Sequence, residues 1–130
     1  MIHYNVVAAV VCHNGKYLCM QKGKTKFEYT SYKWEFPGGK IEPGETPQQA
    51  LARELMEEME YPVEVGEELT TVTHEYPDFS ITMTAFLCTP KAEADGFKRR
   101  EHADSKWCSS VELKNLDWAA ADVDVVEYIL

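Results

Sequence analysis

Four charged side chains fall on one face of a helix that the sequence predicts over residues 47–59. At about 100° per residue, Arg53, Glu54, Glu57 and Glu58 project within an arc of about 140°. Glu54 lies three and four residues before Glu57 and Glu58, spacings at which like charges repel, and the helix dipole disfavours acids in the last turn. A hard divalent cation would remove both penalties, so the pattern predicts a Mg²⁺ or Mn²⁺ site with room for water and phosphate. The alternative interpretation is an ordinary solvated helix face.

The helix that carries these acids has a well-defined start in the sequence. Thr46 is typical of an N-cap, Pro47 is typical of the first helical position, and Gln49 completes a capping box. The helix is expected to run to about Met59. Its apolar side is expected to comprise Leu51, Ala52, Leu55, Met56 and Met59.

Two β-hairpins are predicted around this helix. Residues 4–12 are β-branched and apolar, Asn14-Gly15 forms a turn, and residues 17–20 resume the apolar pattern. The second hairpin is expected from extended segments at 61–65 and 69–76, a turn at Pro77-Asp78 and a long strand at 79–89.

The remaining segments connect or follow these hairpins. Residues 22–33 are polar, and their alternate lysines favour either a mobile basic loop or a solvated strand edge. A short aromatic strand at 34–36 leads into a Pro-Gly-Gly turn at 37–39. Further along, we expect an irregular region at 90–105, a short strand at 106–108, a brief helix capped by Ser109, and an amphipathic helix over 122–130 that carries Val123, Val126, Tyr128 and Ile129.

The composition limits the classes of protein to which the chain can belong. It has 130 residues, a formal net charge of −9 and 45% hydrophobic residues, which predicts one domain over 1–130. The acidic balance disfavours a nucleic-acid partner. No apolar run approaches the roughly 18 residues of a membrane span, and the first residues lack the features of a signal peptide, so no export is expected. The four cysteines lack Cys-x-x-Cys spacing, so a soluble, cytoplasmic protein without disulfides is expected.

The segment that contains the acids resembles a family motif. Gly39 is followed after five residues by Glu45 and, after seven more, by Arg53-Glu54-Leu55-Met56-Glu57-Glu58-Met59-Glu60-Tyr61. This spacing resembles the Nudix box, G-x5-E-x7-R-E-U-x-E-E-x-G-U, in which U is an apolar residue. Glu60 stands where the family has glycine, and Tyr61 is an unusual final residue. Because glycine there would adopt a left-handed conformation, Glu60 is expected to cost about 1 kcal/mol or to lengthen the helix.

The resemblance covers nearly the whole chain and is closest to the MutT-like branch of the Nudix family. Residues 34–42 resemble the strand and loop before its box, residues 76–82 its central hairpin, and residues 107–109 and 120–122 its C-terminal part. The fold that this implies is α/β, of the α+β type. It is a Nudix α/β/α sandwich in which a mixed, curved sheet lies between the box helix and the C-terminal helix.

The chemistry implied by the resemblance is metal-assisted attack of water on a nucleoside triphosphate, which releases a monophosphate and pyrophosphate. Glu57 and Glu58 would bind Mg²⁺, or Mn²⁺ in its place, together with the Gly38 carbonyl, and Glu54 would bind metal or orient the attacking water. Arg53 would hold these carboxylates through charge-assisted hydrogen bonds, and Glu45 would be tied to Arg53. Glu101 is the candidate for a further acid that binds metal or acts as base, against an ordinary exposed loop glutamate.

The substrate-binding residues are also implied by the resemblance. Lys22 or Lys24 would neutralise phosphate charge, and Tyr76 or Phe79 would stack on the base. Asp122 would hydrogen-bond the base, or it would serve as the N-cap of the last helix. An ionised Asp122 would accept from the N4 amine of cytosine or from N1 and N2 of a guanine. The full candidate set is Lys22, Lys24, Phe36, Gly39, Tyr76, Phe79 and Asp122.

Three hypotheses follow from these residues. The first is a house-cleaning pyrophosphohydrolase that acts on an oxidised purine nucleotide such as 8-oxo-dGTP and so serves DNA repair. The second keeps the reaction and makes the substrate CTP, dCTP or 5-methyl-dCTP. The third is a non-catalytic Nudix-fold nucleotide-binding domain, which the intact acids disfavour. The expected partner is a small nucleotide, with no nucleic acid and no membrane, and the protein is expected to be a monomer or homodimer.

Overall fold

The computed structural model describes residues 1–130 and contains seven strands and three helices. The strands are β1 (Ile2–His13), β2 (Lys16–Lys22), β3 (Trp34–Glu35), β4 (Gly38–Lys40), β5 (Val63–Glu75), β6 (Phe79–Pro90) and β7 (His102–Cys108). The helices are α1 (Pro47–Met59), α2 (Ser110–Leu113) and α3 (Ala120–Ile129). None of these helices is both long enough and apolar enough to cross a membrane.

Strand β1 lies at the centre of a mixed sheet. It runs parallel to β6 along most of its length, and it pairs antiparallel with β4 at Val6 to Ala8 and with β2 at Cys12 and His13. The strand order is β3-β2-β1-β6-β5, with β4 also on β1 and β7 also on β2. The two predicted hairpins, β1–β2 and β5–β6, are confirmed.

Alternate residues of β1 face two separate cores. Val7, Ala9 and Val11 pack in one cluster with Leu51 and Leu55 of α1. Residues between them, Ala8 and Val10, pack in a second cluster with residues of α3, which comprise Ala121, Val125 and Val126. Because side chains alternate across a strand, one apolar segment is buried on both faces, and the predicted α/β/α sandwich is confirmed.

Helix α1 begins and ends as its sequence predicts. The Thr46 side chain accepts from the Gln49 amide, and the Gln49 side chain accepts from the Thr46 amide, which completes the capping box. At the other end, Glu60 takes the left-handed conformation, with φ 49° and ψ 39°. The helix therefore keeps the family's exit rather than lengthening. Of the residues predicted on the apolar side of the helix, Met56 is not buried but 47% exposed.

Three strand predictions needed correction. Residues 38–40 form strand β4 instead of part of a turn, because their backbone pairs with β1. Strand β7 begins at His102, inside the region expected to be irregular, because pairing with β2 extends that far. The two extended segments before the second hairpin form one strand, β5, whose register with β6 shifts between Val65 and Thr70. In each case hydrogen bonds to a partner strand make the segment extended, and the local sequence does not reveal that partner.

The last helix also differs from its prediction. It begins at Ala120, after the N-cap Ala119, so the proposed N-cap role of Asp122 is wrong. Its buried residues are Ala121, Asp122, Val125 and Val126, whereas Val123 and Tyr128 are exposed. The apolar residues of this segment are spread around the helix, so the sequence alone does not define which face is buried. Packing against the sheet decides it.

Candidate active site

Arg53 organises the carboxylates of α1. Its Nη1 donates to Glu54 at 2.9 Å and to Glu57 at 3.1 Å, while Nε and Nη2 donate to both oxygens of Glu45 at 2.6 and 2.9 Å. Nη2 also donates to the carbonyl of Lys40 at 3.0 Å. Charge-assisted and bidentate bonds of this kind fix orientation as well as charge. The side chains of Glu54 and Glu57 are therefore held on the helix face at which the sequence places them.

Glu58 lies apart from the arginine, half-buried among other acids. The pKa of its carboxyl is raised to about 8, mainly by burial and in addition by the neighbouring charges of Glu54, Glu35 and Glu101. A carboxyl that is partly buried beside other carboxylates resists ionisation, because its negative charge would be poorly solvated and would repel theirs. A divalent cation would reverse that balance, because it favours the charged form of every carboxylate around it.

The residues present fit a hard divalent cation. The donors gathered beside Glu58 are carboxylate oxygens, which Mg²⁺ and Mn²⁺ prefer. The acids are collected but are not arranged as a group of three ligands around one point. Glu54 and Glu57 each give one carboxylate oxygen to a hydrogen bond with Arg53, so a cation would have to bind their other oxygens. Carboxylate oxygens that Arg53 does not use remain for that purpose.

The structure brings Glu101 to this cluster from a distant loop. A small cleft of about 160 Å³ is lined by Lys22, Gly23, Lys24, Thr25, Glu35, Glu58, Glu101 and His102. Glu101 is exposed in this cleft, and its charge contributes to the raised pKa of Glu58. The sequence candidate for the further acid thus lies beside the helix acids, although its catalytic role stays a prediction.

Glu35 is a site residue to which sequence reasoning gave no role. Its Oε2 lies 2.9 Å from Nε2 of His102, and its Oε1 lies 3.6 Å from Nζ of Lys22. The His102 side chain is only 4% exposed. A signal was present in the sequence, because Glu35 lies between Trp34 and Phe36 in a strand. Alternation places an acid there on the face opposite to two aromatic side chains.

A larger cleft of about 670 Å³ opens beside the small one. One wall of it is aromatic, with Tyr76 stacked on Phe79 at 4.9 Å between ring centroids; Tyr29, which does not line the cleft, stacks on Tyr76 at 5.8 Å. Phe27 stacks on Phe79 at 5.7 Å, and Tyr4 meets it edge-on at 5.9 Å. The sequence indicated Tyr76 and Phe79 as stacking residues. It did not indicate Tyr4 and Phe27, which tertiary packing brings to the same wall, or Tyr29, which supports that wall by stacking on Tyr76.

Asp122 lines the large cleft and is buried. Its Oδ1 accepts a hydrogen bond from the Phe36 amide at 3.0 Å. Burial raises the pKa of the carboxyl to about 8, with the charge of Glu35 acting in the same direction and the Phe36 amide opposing it. The neighbouring Ala121 amide donates to the Tyr76 hydroxyl at 3.2 Å, so the start of α3 is tied to the aromatic wall.

The remaining sequence candidates lie at the junction of the two clefts. Lys22 ends β2 and lines both of them, whereas Lys24 is exposed and lines the small one alone. The lysines of this region do not form a strand edge, because Lys24 and Lys26 lie beyond the end of β2. Phe36 lines the large cleft and stacks on Trp118 at 4.7 Å. Gly38 and Gly39 line it too, and a side chain on Gly39 would overlap the Glu54 carboxylate.

Comparison with known proteins identifies the family. A model of the NUDIX domain matches residues 3–129. The chain belongs to the NUDIX domain family. The predicted family is therefore confirmed, and the protein is a Nudix hydrolase. The Nudix box identified in the sequence spans the end of β4, the loop that leads into α1, and α1 itself with its carboxylate face.

Two relatives of this Nudix hydrolase carry different activities in their names. An 8-oxo-dGTP diphosphatase of Proteus vulgaris is 42% identical over 87 residues, which are 65% of this chain and 75% of that protein. A CTP pyrophosphohydrolase of Escherichia coli K12 is 34% identical over 122 residues, which are 94% of this chain and 87% of that protein. The solution structure of the E. coli ORF135 protein matches with a TM-score of 0.82 at 32% identity, over 99% of this chain and 89% of that one.

Proposed function

We propose that this Nudix hydrolase is a divalent-metal-dependent pyrophosphohydrolase that converts a nucleoside triphosphate and water into a nucleoside monophosphate and pyrophosphate. The observation that carries the proposal is the junction of the two clefts. Lys22 and Glu35 line both the aromatic cleft and the small cleft that holds Glu58 and Glu101. A base stacked in the large cleft would therefore direct its phosphates toward the carboxylates.

The chain's own residues have separate tasks in this reaction. Glu57 and Glu58 would hold Mg²⁺ or Mn²⁺ with the Gly38 carbonyl, and Glu54 or Glu101 would accept a proton from the attacking water. A bound divalent cation supplies neutralisation of phosphate charge and lowers the pKa of bound water. Arg53 keeps the carboxylates oriented, and Lys22 adds positive charge where phosphate oxygens enter. Lys22 suits this task better than Lys24, since it lies between the clefts.

The favoured substrate is 8-oxo-dGTP or a related damaged nucleotide, which makes the protein a house-cleaning enzyme of the nucleotide pool. The relative with 42% identity is named 8-oxo-dGTP diphosphatase. With its pKa raised to about 8, Asp122 is largely neutral at pH 7 and so offers one donor and acceptor oxygens. Oxidised guanine presents an adjacent acceptor and donor, O6 and N7–H, where guanine presents two acceptors. At O6 and N7 a neutral Asp122 matches only the oxidised base, whereas at O6 and N1–H it matches guanine as well, so selection against dGTP depends on which edge of the base faces Asp122.

Cytosine nucleotides are the second candidate. The relative that covers most of the chain is named CTP pyrophosphohydrolase. The cytosine edge also presents an adjacent acceptor and donor, N3 and the N4 amine, which a neutral Asp122 matches equally well. The aromatic wall stacks either base. The choice between the two substrates therefore depends on the shape of the cleft around the base.

The test is the initial rate of hydrolysis with Mg²⁺ over 8-oxo-dGTP, dGTP, CTP, dCTP and 5-methyl-dCTP. ADP-ribose and a dinucleoside polyphosphate serve as comparisons from other substrate classes. The proposal expects kcat/KM to be highest for 8-oxo-dGTP, with monophosphate and pyrophosphate as products, and no turnover in chelator. Preference for a cytosine nucleotide would replace the first substrate with the second. Full activity in chelator, or release of orthophosphate in place of pyrophosphate, would overturn the reaction itself.

The non-catalytic hypothesis has less support. A binding domain would have no need of the arginine-held carboxylates on α1 or of an acid from a second element beside them. Both are present in this chain. Absence of turnover on the whole panel, combined with tight nucleotide binding, would restore that hypothesis.

A further inference from the structure

Glu60 stands at the exit of α1, where the Nudix box has glycine. Its φ of 49° lies in the left-handed region, which disfavours residues that carry a Cβ. The Tyr61 amide donates to the Leu55 carbonyl at 3.2 Å across this residue, so the helix ends with the hydrogen-bond pattern that normally favours glycine. A strained glutamate at this position calls for a compensating interaction of its side chain.

The Glu60 carboxylate binds two cations from the loop that precedes β7. Its Oε2 lies 3.0 Å from Nζ of Lys98 and also accepts a hydrogen bond from Nη2 of Arg100. Glycine at this position would make neither contact. The two ion pairs join residues that lie far apart in the chain, and they share one carboxylate oxygen.

The same loop satisfies free carbonyl groups of the last turn of α1. The Lys98 amide donates to the Met59 carbonyl at 2.8 Å, and Nη1 of Arg100 donates to the Glu57 carbonyl at 3.2 Å. The final carbonyls of a helix have no partner within the helix, so these bonds satisfy groups that would otherwise need water. Four contacts thus hold Lys98 and Arg100 against the end of the helix.

Glu101 follows Arg100 directly, and it lies in the small cleft with Glu58. Resting on the proposed function, we infer that Glu60 is a positioning residue. Its carboxylate holds Lys98 and Arg100 so that the loop places the Glu101 carboxylate beside the metal-binding acids of α1. The residue acts through Glu101 and has no contact with substrate in this role.

The substitution Glu60→Gly distinguishes a positioning role of Glu60 from a purely structural one. If the side chain only tolerates the helix exit, then Glu60→Gly relieves backbone strain, raises the melting temperature and leaves activity unchanged. If the side chain positions the loop, the same substitution lowers activity even though the helix exit is relaxed. Glu60→Asn provides a second variant, since asparagine tolerates the left-handed region but is too short to reach both cations and lacks the charge.

The experiment compares the full-length wild type with Glu60→Gly, Glu60→Asn and the control Glu64→Gln, which removes an exposed carboxylate of β5 outside both clefts. Three measurements are made on each protein. They are hydrogen exchange of the Lys98 amide, which donates to the Met59 carbonyl, Mn²⁺ affinity by calorimetry without nucleotide, and kcat and KM with Mg²⁺. Exchange reports the loop directly and does not depend on activity.

Both Glu60 variants are expected to exchange the Lys98 amide faster. Mn²⁺ affinity or kcat should fall about tenfold or more, as expected for loss of a group that orients metal-binding residues. KM for the nucleotide should stay the same, because the base binds in the other cleft. The Glu64→Gln control should match the wild type in all three measurements.

The inference is overturned if both Glu60 variants keep wild-type loop exchange, Mn²⁺ affinity and kcat. Faster exchange with unchanged Mn²⁺ affinity and kcat would also overturn it, because the loop would then be held without consequence for the site. If the wild type hydrolyses no nucleotide but binds Mn²⁺, the proposed function fails, and exchange and Mn²⁺ affinity still decide the inference. A wild type that neither binds Mn²⁺ nor turns over nucleotide would overturn both.

Discussion

Arg53 and Glu45 form a bidentate pair that links α1 to the loop before it. Nε and Nη2 of the guanidinium donate to the two carboxylate oxygens at 2.6 and 2.9 Å. Hydrogen bonding to Arg53 lowers the pKa of the Glu45 carboxyl below its usual range. Because Glu45 occupies one edge of the guanidinium, Nη1 is directed toward Glu54 and Glu57. The loop residue therefore sets the orientation in which the arginine meets the helix acids.

Arg53→Lys is expected to lower kcat by about 10- to 100-fold, because an ammonium cannot hold Glu45, Glu54 and Glu57 together in fixed geometry. Lysine keeps the positive charge, so a kcat close to that of the wild type would show that the charge alone is sufficient to hold the carboxylates. Steady-state kinetics with Mg²⁺ measures the effect. The matched control is Arg99→Lys, which changes an exposed arginine whose bond is to the Ala103 carbonyl, and its kinetics should stay at the wild-type level.

Glu57→Gln is expected to lower kcat by about two orders of magnitude, since it removes one charge of the metal-binding set. The side chain is 60% exposed, so the melting temperature should scarcely change. Glu127→Gln, an exposed acid of α3, is the control and should have normal kinetics. Turnover by Glu57→Gln at the wild-type rate would contradict the metal mechanism.

Gly39→Ala and Gly38→Ala are expected to separate activity from folding. A Cβ on Gly39 would overlap the Glu54 carboxylate, a flexible group that can move, so the variant should fold and lose kcat. A Cβ on Gly38 would overlap the Val7 backbone carbonyl across the β1–β4 pair, so that variant should melt at a markedly lower temperature. Thermal melts and kinetics of both variants test this pair. Equal melting temperatures for the two would contradict the close approach at Gly38.

Asp122→Asn is expected to change how stability depends on pH. The folded protein keeps the Asp122 proton up to about pH 8, whereas the unfolded chain releases it near pH 3.8. Between these values unfolding releases a proton, so the contribution of Asp122 to stability falls as pH rises. Asparagine stays neutral and still accepts from the Phe36 amide. The melting temperature of the variant should therefore equal that of the wild type near pH 4 and exceed it above pH 8.

Thermal melts from pH 4 to 9 measure this difference. The control is Asp124→Asn on the exposed face of the same helix, where no pH-dependent difference from the wild type is expected. A variant that melts below the wild type at pH 8.5 would show that Asp122 is stabilised as a carboxylate in the folded protein.

The sequence by itself determined the family, the box helix and its acids. The capping box at Thr46, the apolar spacing and the positions of Arg53, Glu54, Glu57 and Glu58 are local features. They act within a few helical turns, and no distant contact is needed to set them. At Glu60 the sequence left two outcomes open, a strained left-handed exit or a longer helix, and the structure has the left-handed exit.

The tertiary structure decided how residues from outside the helix are arranged around those acids. Glu35, Glu101 and His102 meet Glu58 because β7 pairs with β2, and the polar sequence before β7 gives no sign of that pairing. Asp122 becomes a buried acid of the large cleft because α3 starts earlier than its apolar pattern indicates and packs against Phe36. The resemblance had named Glu101 and Asp122 as candidates, but it gave no role to Glu35 and predicted neither the burial of Asp122 nor the contact partners of Glu101. Long-range pairing and packing depend on the rest of the fold rather than on neighbouring residues, which is the physical reason for this difference.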